Sequence, residues 1–162
     1  MMRPTTNAAG ASLVCCFAIG APPAAYRDAY DPAQPAVFQV APHRLLMEAV
    51  AGRRVGDALK IGMGRDRNTL ALAERGWRGT GFDLPTQGIA QAKAVAVVRK
   101  LLVVALVAND VEIEYGEGKW VLVALIYPPF RRILARFIRC LESGGLPRHR
   151  KLPCRDGALS PA

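Results

Sequence analysis

The chain is poor in residues that bind metals, and those it has are not spaced as ligands. It contains two histidines, in different regions, and four cysteines among 162 residues. Cys15 and Cys16 are adjacent, whereas Cys140 and Cys154 lie 14 positions apart, and neither spacing matches a C-x-x-C zinc knuckle. No local signature supports a Cys–His nucleophile either. The sequence therefore predicts no metal site and identifies no catalytic residue.

Long apolar runs are also missing, because no run reaches the ~20 residues that a helix needs to cross a bilayer. No transmembrane segment is therefore predicted. The short apolar stretch 8–19 follows Arg3 and precedes the small residues and prolines at 22–25. This outline is typical of a secretory signal peptide. The alternative interpretation is a low-complexity leader, and both set residues 1–25 apart from the rest.

Acidic residues are scarce, with 13 against 22 lysines and arginines, for a net charge of +9. The excess is concentrated in the C-terminal quarter, where the basic residues are Arg131, Arg132, Arg136, Arg139, Arg148, Arg150, Lys151 and Arg155. One interpretation is a surface for nucleic acid or another polyanion. The other is a solvated helix face followed by a disordered tail. The tail has no interleaved aromatic residues to stack on bases, which favours the second.

Hydrophobic patterning predicts an alternation of strands and helices in the middle of the chain. Strands are expected at 58–61, 78–82, 101–108 and 121–127, and helices at 45–50, 68–75, 87–100 and 130–141. The last two strands are continuous apolar runs, as in parallel strands covered on both faces. This order predicts a doubly wound, mostly parallel α/β sheet with right-handed crossovers.

A glycine turn and a distant acid indicate a binding site. Gly62 and Gly64 follow the first predicted strand, and glycines here let the backbone approach a ligand closely. Asp83 ends the second strand, 21 residues after Gly62. This matches the ~20-residue spacing at which a carboxylate binds ribose hydroxyls. An adenosine-containing cofactor is therefore predicted, although Arg67 breaks the dinucleotide pattern G-x-G-x-x-G. A helix N-cap is the alternative role for Asp83.

Several collinear motifs resemble one family. They are the glycine turn and helix at 61–77, the strand at 80–84, the helix start at 88–92, the segment 116–120 and the turn at 141–146. Together they resemble the class I (Rossmann-like) S-adenosylmethionine-dependent methyltransferases of bacteria, over roughly Tyr26 to Leu146. The resemblance implies the strand order three-two-one-four, with the ligand over the carboxyl ends of the strands.

The resemblance also implies a function and a set of site residues. The function is methyl transfer from S-adenosylmethionine to an acceptor that the sequence does not identify. The cofactor-binding residues would be Gly62, Gly64, Asp83 and Asp110, with Asn109 as the alternative to Asp110. Because this cofactor is a cytosolic metabolite, a cytoplasmic location with reduced thiols is expected. Export through residues 1–25 is the alternative.

The chain departs from the family pattern at four positions. Lys60 replaces an acid that helps to hold the charged end of the cofactor, Asp66 replaces a glycine, and Val121 replaces an aspartate. Tyr127 replaces the amide or acid in the Asn/Asp-Pro-Pro-aromatic motif of amino-group methyltransferases. Weakened cofactor binding is therefore expected. The alternatives are a non-catalytic nucleotide-binding remnant and a basic nucleic-acid-associated module.

These patterns divide the chain into a leader or signal peptide at 1–25, a methyltransferase-like domain at 26–146 and a basic, disordered tail at 147–162. The family continues into a fifth strand, whereas 147–156 contains two prolines and no apolar run. The sheet is therefore expected to lack its C-terminal strands. That would leave the strand at 121–126 with an open edge, and self-association through it is expected.

Overall fold

The computed structural model describes residues 12–16, 41–126 and 134–142. Five parallel strands form one sheet in this part of the chain: β1 Ser12–Cys16, β2 Asp57–Ile61, β3 Arg78–Asp83, β4 Val103–Val107 and β5 Leu122–Ile126. The helices are α1 Arg44–Val50, α2 Arg67–Ala73, α3 Thr86–Val98 and α4 Leu134–Arg139. The fold is α/β and Rossmann-like, as the sequence predicts.

The strand order is β1-β5-β2-β3-β4. The four strands that the sequence predicts are, in chain order, β2, β3, β4 and β5. They lie side by side in the expected order three-two-one-four. The chain moves outwards from β2 through β3 to β4 and then returns to the other side of β2. This reversal places a topological switch point at the carboxyl end of β2.

The leader contributes a strand, which the sequence does not predict. Ser12–Cys16 pairs in parallel with Leu122–Ile126, in a register that runs from Ser12 beside Leu122 to Cys16 beside Ile126. Strand β5 is therefore paired on both sides, with β1 and with β2. The expectation of an open edge at 121–126 is wrong, because a short segment of the leader pairs with this strand. Self-association through this strand loses its basis.

Two hydrophobic layers cover the faces of the sheet, and β5 belongs to both. Its side chains alternate between the layers, as the two-residue period of a strand requires. On one face the layer comprises Leu59, Ile61, Phe82, Tyr115, Trp120, Val123, Leu125, Phe137, Cys140 and Leu141. On the other it comprises Leu46, Val50, Ala58, Leu72, Trp77, Val121, Leu122, Ala124 and Ile126. The core thus lies over β5 and β2.

Some sequence-based assignments lie outside the described residues. The predicted tail at 147–162 and the missing C-terminal strands stay predictions for this reason. The role of the motif that begins at Tyr127 stays a prediction as well, because residues 127–130 are not among those described. Within the described residues, no helix combines the length and apolar character needed to cross a membrane.

A lysine at Val123 provides a test of this sheet. With an open edge at 121–126, Val123→Lys would raise the fraction of soluble monomer. Val123 is instead 0% exposed, in the core between paired strands. Val123→Lys should therefore lower the free energy of unfolding by about 3 kcal/mol or more, because it buries an unpaired charge. Urea denaturation measures this, and Val55→Lys, at an exposed valine, is the control. Equal midpoints for the two variants would contradict the register.

Candidate functional site

The glycine turn after β2 is held against β3 by backbone contacts. The Met63 N–H donates to the Phe82 carbonyl at 3.1 Å, and the Asp66 N–H donates to the Met63 carbonyl at 2.9 Å. Gly62 has a φ of +64°, and a Cβ there would meet nothing within 4 Å. Its requirement for glycine is thus one of backbone conformation. The open space above this glycine faces the switch point.

Packing beneath the turn depends on a second glycine, in β3. A Cβ at Gly81 would lie 2.7 Å from Met63 Sδ, closer than van der Waals contact allows. The missing side chain lets Met63 pack on β3 and on the third, smaller apolar cluster, with Ile89, Ala92 and Ala105. The turn is therefore fixed from below as well as by its hydrogen bonds.

Asp83 contacts the glycine turn directly. Its Oδ2 accepts a hydrogen bond from the Gly64 N–H at 2.8 Å, and its Oδ1 accepts one from the Leu84 N–H at 2.8 Å. A carboxylate has about four lone-pair positions, so acceptor capacity remains for a ligand. The alternative role of Asp83 as a helix N-cap is wrong, because α3 has Pro85 at its N-cap and no side-chain cap.

Asp110 lies at the same edge of the sheet, in the loop after β4. The Ala108 N–H donates to the Asp83 carbonyl at 3.1 Å, which holds the start of this loop beside Asp83. The Asp110 carbonyl accepts a hydrogen bond from the Tyr115 hydroxyl at 2.6 Å. Burial, reinforced by the Asp110 charge, raises the pKa of Tyr115 to about 12. The Asn109 side chain instead accepts the Val111 N–H at 3.3 Å. Gly64 and Asp83 are thus in contact, and Asp110 lies nearby.

Lys60 is buried beneath the turn, and the sequence does not predict this burial. Its side chain is almost completely enclosed, with the residue 2% exposed. The ammonium donates to the carbonyl oxygens of Ile61 at 2.5 Å and Gly62 at 2.7 Å. Lys60 therefore binds the backbone carbonyls at the carboxyl end of β2 from inside the protein.

Asp66 is the second buried charge of the turn. It has a φ of +63° and caps α2, with its Oδ1 accepting the Thr69 N–H at 2.8 Å. Its Oδ2 has no hydrogen-bond partner among the described residues. Burial raises the pKa of Asp66 to about 7, against the opposing effects of the Thr69 hydrogen bonds and the Lys60 charge. The sequence indicates this arrangement only through its two departures from the family pattern, a cation at 60 and an acid at 66 on either side of the glycines.

Several of the described basic residues are engaged within the fold. Arg54 pairs with Glu142 at 2.5 Å, Arg78 with Asp57 at 2.7 Å and Arg99 with Glu74 at 2.7 Å. The Arg136 guanidinium lies 5.1 Å from the ring centre of Tyr115. Most of the basic residues in the C-terminal quarter lie outside the described residues, so both interpretations of that charge stay predictions. Across residues 41–126 and 135–142, no group of three or more acids, cysteines and histidines could hold a metal ion.

Comparisons with known proteins support the fold. No protein-family model and no curated protein matches the chain. The PH0226 protein from Pyrococcus horikoshii OT3 is 20% identical with a TM-score of 0.54, over 62% of this chain and 47% of that one. The bifunctional kinase-methyltransferase WbdD is 24% identical with a TM-score of 0.39, over 48% of this chain and 18% of that one.

A further match comes from work on the conversion of a disulfide bond into a thioacetal group during echinomycin biosynthesis. That protein is 35% identical with a TM-score of 0.39, over 43% of this chain and 30% of its own. Of these three proteins, the Pyrococcus protein alone exceeds a TM-score of 0.5, and its likeness supports the Rossmann-like fold. The chain spans less than half the length of each of them.

The buried carboxyl of Asp66 should make stability depend on pH. Its pKa is about 7 in the folded chain, against the 3.8 of an ordinary aspartate. The folded state therefore keeps a proton that the unfolded state has lost, and stability falls as pH rises from about 4 to 7. Asp66→Asn keeps the cap and tolerates the left-handed backbone. The wild type should lose on the order of 4 kcal/mol relative to this variant across that window.

Urea denaturation at several pH values measures the difference. Asp57→Asn is the control, because its hydrogen bond with Arg78 lowers the pKa of Asp57 and gives a pH dependence of opposite sign, at lower pH. Parallel stability curves for the wild type and Asp66→Asn between pH 4 and 7 would show that Asp66 is charged throughout.

Proposed function

We propose that this chain is a methyltransferase-type domain that binds S-adenosylmethionine at the carboxyl end of β2. The observation that carries the proposal is the 2.8 Å hydrogen bond from the Gly64 N–H to the Asp83 carboxylate. It joins the glycine turn to the acid on the neighbouring strand, at the switch point where ligands of open α/β sheets bind. The acceptor of the methyl group stays unidentified.

The roles proposed for the site residues follow from this geometry. Asp83 is oriented by two backbone N–H groups, and its remaining lone pairs would accept the ribose hydroxyls. The open space above Gly62 would take the amino-acid and ribose part of the cofactor. Asp110, half-buried at the same edge, would lie towards the adenine. The N-terminus of α2 offers one fewer free N–H group to a ligand, because Asp66 already accepts the Thr69 N–H.

Methyl transfer requires positioning more than acid–base chemistry. The cofactor supplies an electrophilic methyl group on its sulfonium, and the protein must align an acceptor in line with it and exclude water. Gly62, Gly64 and Asp83 would fix the cofactor relative to the sheet. No described side chain is assigned to catalysis.

The buried charge of Lys60 supports the expectation that this chain binds the methyl donor weakly. A buried ammonium beside Gly62 repels a sulfonium more strongly than it would in water, because the local dielectric constant is low. S-adenosylhomocysteine lacks the sulfonium charge and should bind better than S-adenosylmethionine. This feature favours a second candidate function, a non-catalytic nucleotide-binding domain. Binding of S-adenosylhomocysteine without methyl transfer to any acceptor would distinguish it from the first.

Asp83→Ala tests the proposed ribose contact. The substitution should weaken S-adenosylhomocysteine binding by about 1.5–3 kcal/mol, the range for hydrogen bonds to a charged group. Isothermal titration measures the affinity. Asp57→Ala is a matched control, because Asp57 begins β2 at the opposite edge of the sheet and pairs with Arg78. Unchanged affinity for Asp83→Ala, with an intact circular dichroism spectrum, would remove Asp83 from the site.

The double variant Lys60→Asp/Asp66→Gly tests the role of the charge reversal. The resemblance implies that an acid at position 60 holds the charged end of the cofactor, and Lys60→Asp alone would add a carboxylate beside Asp66. Glycine at 66 also suits the left-handed backbone. The double variant should bind S-adenosylhomocysteine about tenfold more tightly, because it gains one charge-assisted hydrogen bond to the cofactor.

Asp66→Gly alone is the control for this variant, since it removes the buried acid and keeps Lys60. It should not gain affinity. A double variant that binds more weakly than the wild type, with its fold intact, would mean that position 60 does not take the role of the family's acid.

A further inference from the structure

Strand β4 forms one border of the sheet. It is last in the strand order, so among the described strands it pairs only with β3. The N–H and C=O groups on its other side have no strand partner there. A short strand with such an edge is a template for pairing with another chain unless charge, proline or a bulge protects it. The five residues Val103–Val107 contain no charge and no proline.

This border strand is apolar and largely exposed, except at Ala105, which is 3% exposed and packs against Ile89 and Ala92 of α3. Val104, Leu106 and Val107 are 53%, 40% and 52% exposed, although the sequence predicts a strand buried on both faces. The apolar surface continues on the neighbouring segments, through Val97, Val98, Leu102 and Val111. Seven apolar side chains on and beside this one strand are therefore exposed, a concentration typical of interaction surfaces.

The charges that flank β4 favour a particular occupant. Lys100 lies five residues before Ala105, and Asp110 lies five residues after it. Two further acids follow at Glu112 and Glu114, so the strand runs from a basic end to an acidic end. Antiparallel pairing of two copies brings the basic end of each strand to the acidic end of the other. Parallel pairing would bring like charges together.

We infer that two copies of this chain associate through β4 by antiparallel pairing about a two-fold axis at Ala105. In this register Val104 of one strand lies opposite Leu106 of the other, on both sides of the axis. Such cross-strand apolar pairs are the stabilising units of antiparallel sheets. The result is a continuous sheet through both copies with an isologous interface. The proposal goes beyond the proposed function and does not depend on cofactor binding.

Sedimentation velocity of the full chain over a wide concentration range tests this dimer. The wild type should sediment as a dimer that dissociates on dilution. Leu106→Lys should raise its dissociation constant at least tenfold, because it places a charge in the centre of the interface. Val55→Lys, at an exposed valine distant in the sequence, is the matched control and should not change it. Circular dichroism checks that each variant is folded.

A charge exchange distinguishes this interface from general apolar association. Lys100→Asp and Asp110→Lys should each weaken the dimer, because each places like charges at both ends of the interface. A mixture of the two variants should associate as strongly as the wild type, since each end again pairs opposite charges. Dimers unaffected by Leu106→Lys, or single variants not rescued by mixing, would overturn the pairing. A wild type that is monomeric at all concentrations would also overturn it, and would indicate that another segment of the same chain covers β4.

Discussion

The buried ammonium of Lys60 is the interaction on which the candidate site depends. A lysine in a central strand must find hydrogen-bond acceptors, since an unpaired buried charge is strongly destabilising. Lys60 finds them in the carbonyls of Ile61 and Gly62. These contacts hold the backbone at the point where Gly62 enters its left-handed conformation. The Gly64 N–H of the same turn then donates to Asp83 on β3, so the lysine and the acid contact the turn from different elements.

Asp66 completes the charge arrangement around this turn. The ammonium lies close enough to oppose the rise in its pKa, and the carboxyl caps the helix that follows. The cation and the acid thus share one small buried region, in which each residue is 2% exposed to solvent. For a positively charged cofactor, the sign of the charge beneath the turn is the feature that separates this chain from the family it resembles.

Much of the fold and part of the site could be predicted from the sequence. The alternation of apolar runs and helices predicts β2 to β5 as strands of a parallel sheet, and the family resemblance implies their order. The spacing of Gly62, Gly64 and Asp83 predicts their proximity. These signals are local or depend on a fixed crossover geometry. The pairing of Ser12–Cys16 with β5 is non-local, and so short a segment does not specify its partner. The exposure of β4 depends on which elements cover it, and the hydrogen bonds of Lys60 depend on how its side chain folds back.

The order of the strands has a consequence for synthesis of the chain. Strand β1 comes first in the sequence, yet its partner begins 110 residues later, with Ser12 beside Leu122. At a translation rate of ~5–20 residues per second, the first strand waits several seconds or longer for the last one. During that interval the units from β2 to β4 can form by local crossovers, while the N-terminal segment is still unpaired. Closure of the sheet at β1 is therefore expected to be a late event, and a bulky N-terminal fusion would act on that step rather than on the glycine turn.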